Sequence, residues 1–311
     1  MRRIVFLDRG SLPISLRRPK FECEWVDHPD TPPDQVLPRL RGATVAVTNK
    51  TPITRQHLEG LPDLKMVAVS ATGTDCVDSE ACRRAGILVT NIPGYAIDSL
   101  VEHTLMLILA LRRRLIEYYS AVQQGDWQRQ ANFALNAFPY RDLHGTTLGV
   151  IGHGAIGRRV GELAQALGMR VLIAERRDAE TTRAGRSAFR EVLADSDVIS
   201  LHCPLTPETR SLIAARELSQ MMSGALLVNT ARGGLVQPQS IADALISGRL
   251  GGYGSDVLEV EPPGSNHPLI RLNLPNLILT PHIAWASEGS MQKLGEMLID
   301  NLDAFLERNN P

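Results

Sequence analysis

Thr147-Leu148-Gly149-Val150-Ile151-Gly152-His153-Gly154-Ala155-Ile156-Gly157 sets the architecture of this chain. An apolar run that reads as a strand ends in a glycine, and a helix is expected over Ile156–Leu167. A GxGxxG between a strand and a helix is the arrangement that holds a dinucleotide. Gly152 permits the tight turn, Gly154 lets the backbone approach a pyrophosphate without a Cβ in the way, and Gly157 lets helix and strand pack closely. The helix start at Ala155 and Ile156 offers free N–H groups and a positive dipole to the phosphates. His153 stands at an unrestricted position of the motif and is assigned no role.

The next strand, Arg170–Ala174, runs into Glu175, 18 residues past Gly157. The fingerprint calls for an acidic residue about 20 residues on, to bind the adenosine ribose hydroxyls. A carboxylate there repels a 2′-phosphate, so NAD is the expected cofactor. Arg176 and Arg177 keep NADP possible, because a guanidinium beside the site can bind that phosphate.

The same strand–helix alternation extends in both directions. Toward the C-terminus, Asp197–Cys203, Ala225–Thr230, Gly252–Asp256 and Leu277–Thr280 read as strands, separated by helical stretches. Toward the N-terminus, Ile4–Asp8, Phe21–Val26, Thr44–Thr48, Lys65–Ala71 and Ile87–Thr90 do the same. Val45-Ala46-Val47 and Met66-Val67-Ala68-Val69 are nearly continuous apolar runs, as expected of strands covered on both faces. The fold class expected is α/β, with two doubly wound parallel sheets. Between the two series lie a long helix, about Ser99 to Ser120, and an aperiodic stretch, 121–146, carrying Trp127, Phe133, Phe138 and Tyr140. So long a stretch without periodicity is unusual inside a compact domain, and it reads as an arm that packs on another subunit.

Composition narrows the function. The 311 residues suffice for two domains, and 43 % are hydrophobic. The formal net charge is −1 with no long run of one sign, which argues against nucleic-acid binding. The most basic spot, Arg112-Arg113-Arg114, reads as a solvated helix end. The four cysteines form no CxxC pair and no Cys/His ligand spacing, so neither a disulfide framework nor a metal site is expected. The longest apolar run, Leu105 to Leu111, is far below the roughly 18 residues that a membrane span needs. The first residues hold too short an apolar stretch for a signal peptide, and the cytoplasm is the expected compartment.

Three polar residues follow strands of the second series. Arg232 follows Leu226–Ala231, Glu261 lies in Asp256–Pro263, and His282 lies in Leu279–Trp285. Ligands of doubly wound sheets bind outside the carboxyl ends of the strands. Hydride addition to a keto acid leaves an oxygen that must gain a proton. An imidazole suits that task near neutral pH, a neighbouring carboxylate stabilises the imidazolium, and arginine binds a carboxylate as a bidentate fork. Singly, Arg232 also reads as a salt-bridge partner, Glu261 as a loop surface residue and His282 as a satisfied core histidine. Behind a dinucleotide fingerprint they read together as a catalytic set for a small 2-keto or 2-hydroxy acid.

The chain resembles the D-isomer-specific 2-hydroxyacid dehydrogenases over essentially its whole length. The stretches that carry the resemblance are Ala71-Thr72-Gly73-Thr74-Asp75, Val101-Glu102-His103-Thr104, Leu148–Gly157, Leu201-His202-Cys203-Pro204-Leu205-Thr206, Asn229–Gly234, Asp256–Pro262 and Thr280–Trp285. Within the family it is most similar to glycerate dehydrogenases, also called hydroxypyruvate reductases, on Asn49-Lys50, Asn91–Tyr95, Ala174-Glu175-Arg176 and His282–Trp285.

The resemblance implies that Arg232 binds the substrate carboxylate and carbonyl, that His282 is the proton donor in reduction and that Glu261 is its partner. Backbone N–H groups around Thr72, Gly73 and Thr74 would also hold the substrate carboxylate. Trp285 would wall the substrate pocket, or pack as a structural residue under a hinge. Thr104 would lie near the nicotinamide, Cys203, Pro204 and Thr230 along the cofactor groove, and Asp256 near the carboxamide. The implied domains are a flavodoxin-like substrate domain of residues 1–98 plus 287–311, and a Rossmann NAD-binding domain of residues 99–286. Hinges near residues 98 and 286, and a homodimer built on the long helix and its arm, are also implied. Formate dehydrogenases pair the histidine with glutamine, which Glu261 argues against. An alternative from another class is an NAD-gated protein-binding module of the corepressor type.

Overall fold

A computed structural model describes residues 2–308. Residues 1 and 309–311, the extremes of the expected substrate domain, lie outside the described residues. The chain divides into two units, one formed by residues up to Ala96 together with those from Ala286 onward, the other by Ile97–Trp285.

The first unit is built on a five-stranded sheet of β1 (Arg2–Phe6), β2 (Cys23–Asp27), β3 (Val45–Thr48), β4 (Met66–Val69) and β5 (Leu88–Thr90). The order is β2-β1-β3-β4-β5, and every pair is parallel, which is the flavodoxin-like sequence. Every residue of β3 and β4 is buried, as their unbroken apolar runs require of strands covered on both faces. The last helix, Glu288–Arg308, closes this unit. From it Asp303 and Asp300 accept from Arg17 at 2.8 and 2.6 Å, and Asn301 donates to the Asn91 carbonyl at 3.3 Å. This helix is thereby tied to residues some 200 to 290 positions earlier.

The second unit holds β6 (Thr147–Ile151), β7 (Arg170–Ile173), β8 (Val198–Leu201), β9 (Ala225–Asn229), β10 (Leu250–Ser255) and β11 (Leu277–Leu279). The sheet order is β11-β10-β9-β8-β6-β7, again all parallel. A six-stranded dinucleotide sheet usually continues past the strand equivalent to β7 with one more strand. Here that strand is reduced to a single parallel bridge between Ala174 and Ser187. The intervening Glu175–Arg186 has no apolar run to build a buried strand, so it stays a loop.

The long helix expected over Ser99–Ser120 is two helices, Ile97–Arg112 and Leu115–Gln123, broken at Arg114, whose φ is 50°. The arginine run is not merely a solvated end. Arg112 donates to the Asp142 carbonyl at 3.0 Å, Arg113 stacks 4.0 Å over the Tyr140 ring, and Arg114 pairs with Glu117 at 3.1 Å. Two of these contacts anchor the segment that returns to β6. The first of these helices lies on the sheet where β10 offers glycines: a Cβ on Gly254 would stand 3.1 Å from Leu107, and one on Gly252 would stand 3.0 Å from Leu111. Burial of a leucine of this kind contributes about 1.5–3 kcal/mol. Among the described residues no helix is long and apolar enough to cross a membrane.

Candidate active site

The turn after β6 sits where the chain switches direction across the sheet, with β7 on one side and β8 on the other. Gly152 has φ +97°, and a Cβ there would come within 2.4 Å of the Cys203 nitrogen. A Cβ on Gly157 would come within 2.1 Å of the Gly152 carbonyl oxygen, whereas one on Gly154 would meet nothing within 4 Å. Two of the glycines are thus demanded by the protein's own packing, and the third opens onto free space. Ala155 begins a twelve-residue helix that ends at Ala166, which presents its N–H groups to that space. This geometry fits a dinucleotide pyrophosphate.

His202 and Cys203 form the wall against which Gly152 packs. Burial pushes the His202 imidazole down to about 4 and the Cys203 thiol up to about 11, so both side chains are neutral. His202 Nε2 is hydrogen-bonded to Ser200 Oγ at 2.9 Å, and the Pro204 carbonyl accepts from Thr209 at 2.7 Å. Thr104 is fully buried and donates to the Leu100 carbonyl at 2.7 Å. Its hydroxyl has one hydrogen, so the 2.8 Å contact with Thr230 Oγ1 is donated by Thr230.

Glu175 stands two residues past β7, beside the glycine turn, but its carboxylate is already engaged. Oε1 accepts from the Arg176 N–H at 2.9 Å and from Arg183 Nη2, while Oε2 accepts from Arg183 Nε at 2.7 Å. The fork from Arg183, with the Arg176 N–H, draws the carboxyl down to about 2. The expectation that Glu175 awaits the ribose hydroxyls did not foresee this partner. Arg183 lies in the aperiodic loop, and no spacing or motif marks it.

The candidate catalytic set follows three adjacent strands at their carboxyl ends: Arg232 after β9, Glu261 after β10 and His282 after β11. His282 Nδ1 lies 2.5 Å from Glu261 Oε2, and Glu261 Oε1 accepts the Leu258 N–H at 2.8 Å. Arg232 is placed by Asn229, which donates to the Arg232 carbonyl at 2.9 Å and accepts from the Ala231 N–H at 3.1 Å. Gly233, next to Arg232, has no room for a Cβ, which would overlap the Leu258 backbone carbon at 1.9 Å. The arginine and the loop that carries Glu261 are therefore pressed together.

Asp256, expected near the carboxamide, spends its carboxylate on the turn that bears His282. Its Oδ1 accepts from Thr280 Oγ1 at 2.5 Å and from the Ile283 N–H at 2.9 Å, and its Oδ2 accepts from the Ala284 N–H at 2.8 Å. Its carbonyl takes the His282 N–H at 2.9 Å. His282 has φ 57°, a conformation uncommon outside glycine that persists where the surroundings over-determine it. Trp285 Nε1 donates to the His282 carbonyl at 2.9 Å, and Ser99 Oγ to the Ala284 carbonyl at 2.6 Å. His103 Nε2 sits 2.9 Å from Thr280 Oγ1. His267, a residue the motifs did not single out, accepts the Leu269 N–H on Nδ1 at 3.2 Å. Its Nε2 therefore carries the hydrogen that reaches Glu259 at 3.0 Å.

Thr72, Gly73 and Thr74 belong to the other unit, just past β4. Thr72 Oγ1 donates to the Ile92 carbonyl at 3.0 Å, and Asn91 donates to the Thr72 carbonyl at 2.6 Å. Gly73 lines a cavity of about 490 Å³ with Asn49 and Lys50. The loop after β3 is itself held by buried Asp8, which accepts the N–H groups of Asn49, Lys50 and Thr51 at 2.8, 2.7 and 2.8 Å.

Residues 105–284 match the family model described as the NAD-binding domain of D-isomer specific 2-hydroxyacid dehydrogenases. The chain is 44 % identical to a glycerate dehydrogenase of Methylorubrum extorquens over 306 residues, covering 98 % of this chain and 96 % of that one. It is 36 % identical to a hydroxypyruvate reductase of Blautia hydrogenotrophica over 290 residues, covering 92 % and 89 %. Its fold superposes on the D-lactate dehydrogenase of Aquifex aeolicus, solved with NAD and lactic acid, with a TM-score of 0.81 at 29 % identity, covering 98 % and 96 %.

Proposed function

The chain belongs to the D-isomer-specific 2-hydroxyacid dehydrogenase family, and from that premise we propose that it reduces hydroxypyruvate to D-glycerate, with glyoxylate to glycolate as a second reaction, and runs the reverse oxidation. As a family member it is an NAD-dependent oxidoreductase. The observation that carries the reading is the 2.5 Å contact between His282 Nδ1 and Glu261 Oε2, one strand away from the loop that bears Arg232.

Arg232 binds the substrate carboxylate with its planar fork. Glu261 takes the Nδ1 hydrogen of His282, which fixes the ring and leaves Nε2 to hold the proton destined for the C2 oxygen. When bound, a dihydronicotinamide would be the source of the hydride for C2. In the oxidative direction, His282 Nε2 takes the hydroxyl proton. Gly152, Gly154, Ala155, Ile156 and Gly157 hold the pyrophosphate, with Cys203, Pro204, Thr104 and Thr230 along the groove. Trp285 forms part of the substrate wall.

The chain acts as a homodimer through the two-helix segment and its arm, where Leu115, Ile116, Tyr119 and Phe133 are exposed. It works in the cytoplasm, in keeping with free thiols at Cys23, Cys76, Cys82 and Cys203.

A steady-state panel tests the substrate: hydroxypyruvate, glyoxylate, pyruvate and phosphohydroxypyruvate, each with NADH. A kcat/KM highest for hydroxypyruvate is expected. Preference for pyruvate or the phosphorylated acid would overturn the substrate. Tight NADH binding without turnover of any keto acid would favour the NAD-gated binding module.

A further inference from the structure

An acidic residue at the end of the second strand normally excludes a 2′-phosphate by charge and binds the ribose diol as an acceptor. Glu175 is poorly placed to do either. A carboxylate has about four acceptor sites. Those of Glu175 take the Arg176 N–H, the Arg183 N–H at 3.3 Å, and both Nε and Nη2 of Arg183. The Glu175 side chain is 4 % exposed while that of Arg183 is 57 % exposed. The pair therefore shows solvent its cation and hides its anion.

The surroundings add to this polarity. Arg176, Arg177, Arg183 and Arg186 lie in one short loop with Glu175, Asp178 and Glu180. Arg186 stands 4.0 Å from Glu175 and donates to the Ala174 carbonyl at 3.1 Å. Arg177 donates to the Glu208 carbonyl at 3.2 Å and lines a cavity of about 480 Å³ with Arg190 and Arg216, where Asp178 and Glu217 are the acids.

We propose that Arg183 is a specificity-determining residue for the nucleotide: paired with Glu175, it cancels the charge that would reject a 2′-phosphate and presents a guanidinium to it, so that this unit takes NADPH as well as NADH. A guanidinium bound to one carboxylate through Nε and Nη2 retains donors for a second oxyanion. The inference rests on the dinucleotide-binding reading of this unit and not on which keto acid is reduced.

The test is equilibrium binding of NADPH and NADH to the full chain without substrate, read by nicotinamide fluorescence. Wild type should bind the two with dissociation constants within about tenfold of one another. Arg183→Gln should weaken NADPH by at least about tenfold, the scale of one lost charged contact, with NADH changed little. Arg183→Lys, which keeps the charge and loses the fork, should fall between the two. Glu175→Gln should favour NADPH further. Wild-type rejection of NADPH by more than about 100-fold, or equal weakening of both nucleotides by Arg183→Gln, would overturn the proposal. So would failure of wild type to bind either nucleotide. Binding as expected with no keto acid turned over would leave this inference standing and remove the proposed reaction instead.

Discussion

Glu261 reaches His282 at 2.5 Å from a loop that follows a different strand, so the pair exists only when β10 and β11 are in register. The Tyr253–Leu277, Gly254–Ile278 and Ser255–Leu279 pairings supply that register. Replacing His282 by Ala removes the proposed proton donor and leaves the sheet intact. The rate of keto-acid reduction should fall by roughly 10²–10⁴, the usual scale for general acid catalysis. NADH binding should be unchanged. Single-turnover kinetics together with nucleotide titration check both halves, and near wild-type turnover would remove His282 from the chemistry.

Asp256 holds the turn that bears His282, and a positioning role acting through His282 is expected of it. Replacing it by Ala leaves Thr280 Oγ1 and the N–H groups of Ile283 and Ala284 without their acceptor. Each orphaned buried donor costs about 1–3 kcal/mol, so the melting temperature should drop. With the left-handed turn no longer held, kcat should fall by about tenfold or more, since small misplacements of a reacting group carry penalties up to about 10². A positioning role further requires that kcat fall more than KM rises, and that Asp256→Asn, which keeps one acceptor oxygen, recover part of kcat. An unchanged kcat in a folded Asp256→Ala variant would refute it.

The strands, the glycine turn and the placing of Arg232, Glu261 and His282 after neighbouring strands were legible because each has a pattern with a physical cause: continuous apolar runs for buried parallel strands, glycines where a Cβ has no room, and polar residues at strand ends. The break at Arg114 was not legible. No glycine or proline marks it, and the partners of the neighbouring Arg112 and Arg113, Asp142 and Tyr140, lie far along the sequence. Arg183 was illegible for the same reason, since a loop without periodicity gives no means of knowing which of its arginines turns back to Glu175. Asp256 was singled out by its motif, yet what its oxygens bond became clear only once the 280–284 turn was in place.

His202 makes stability depend on pH in a defined window. Burial lowers its folded-state value from 6.5 to about 4. The unfolded chain therefore takes up a proton that the fold refuses as pH drops between these values. The contribution of His202 is full above about 6.5, is lost progressively as pH falls to about 4, and changes no further below that. Melting temperature measured by calorimetry from pH 7 down to 4 should fall more steeply for wild type than for His202→Gln. Parallel curves for the two proteins would rule out His202 as the group responsible.

Gly154 and Gly157 separate the needs of the fold from those of the ligand. A methyl at Gly157 would stand 2.1 Å from the Gly152 carbonyl oxygen, a clash that only backbone movement relieves. Gly157→Ala should therefore lower the melting temperature as well as nucleotide affinity, because overpacking of this kind typically costs about 1–3 kcal/mol. A methyl at Gly154 would meet no protein atom within 4 Å, and its φ of −81° suits alanine. Gly154→Ala should fold with an unchanged or slightly raised melting temperature. Its methyl would nevertheless occupy the space through which the backbone approaches the pyrophosphate, so NADH affinity should fall by about tenfold or more. Calorimetric melting and NADH titration of both variants distinguish the two roles. If Gly154→Ala bound NADH as tightly as wild type, the pyrophosphate would have to lie elsewhere on this unit.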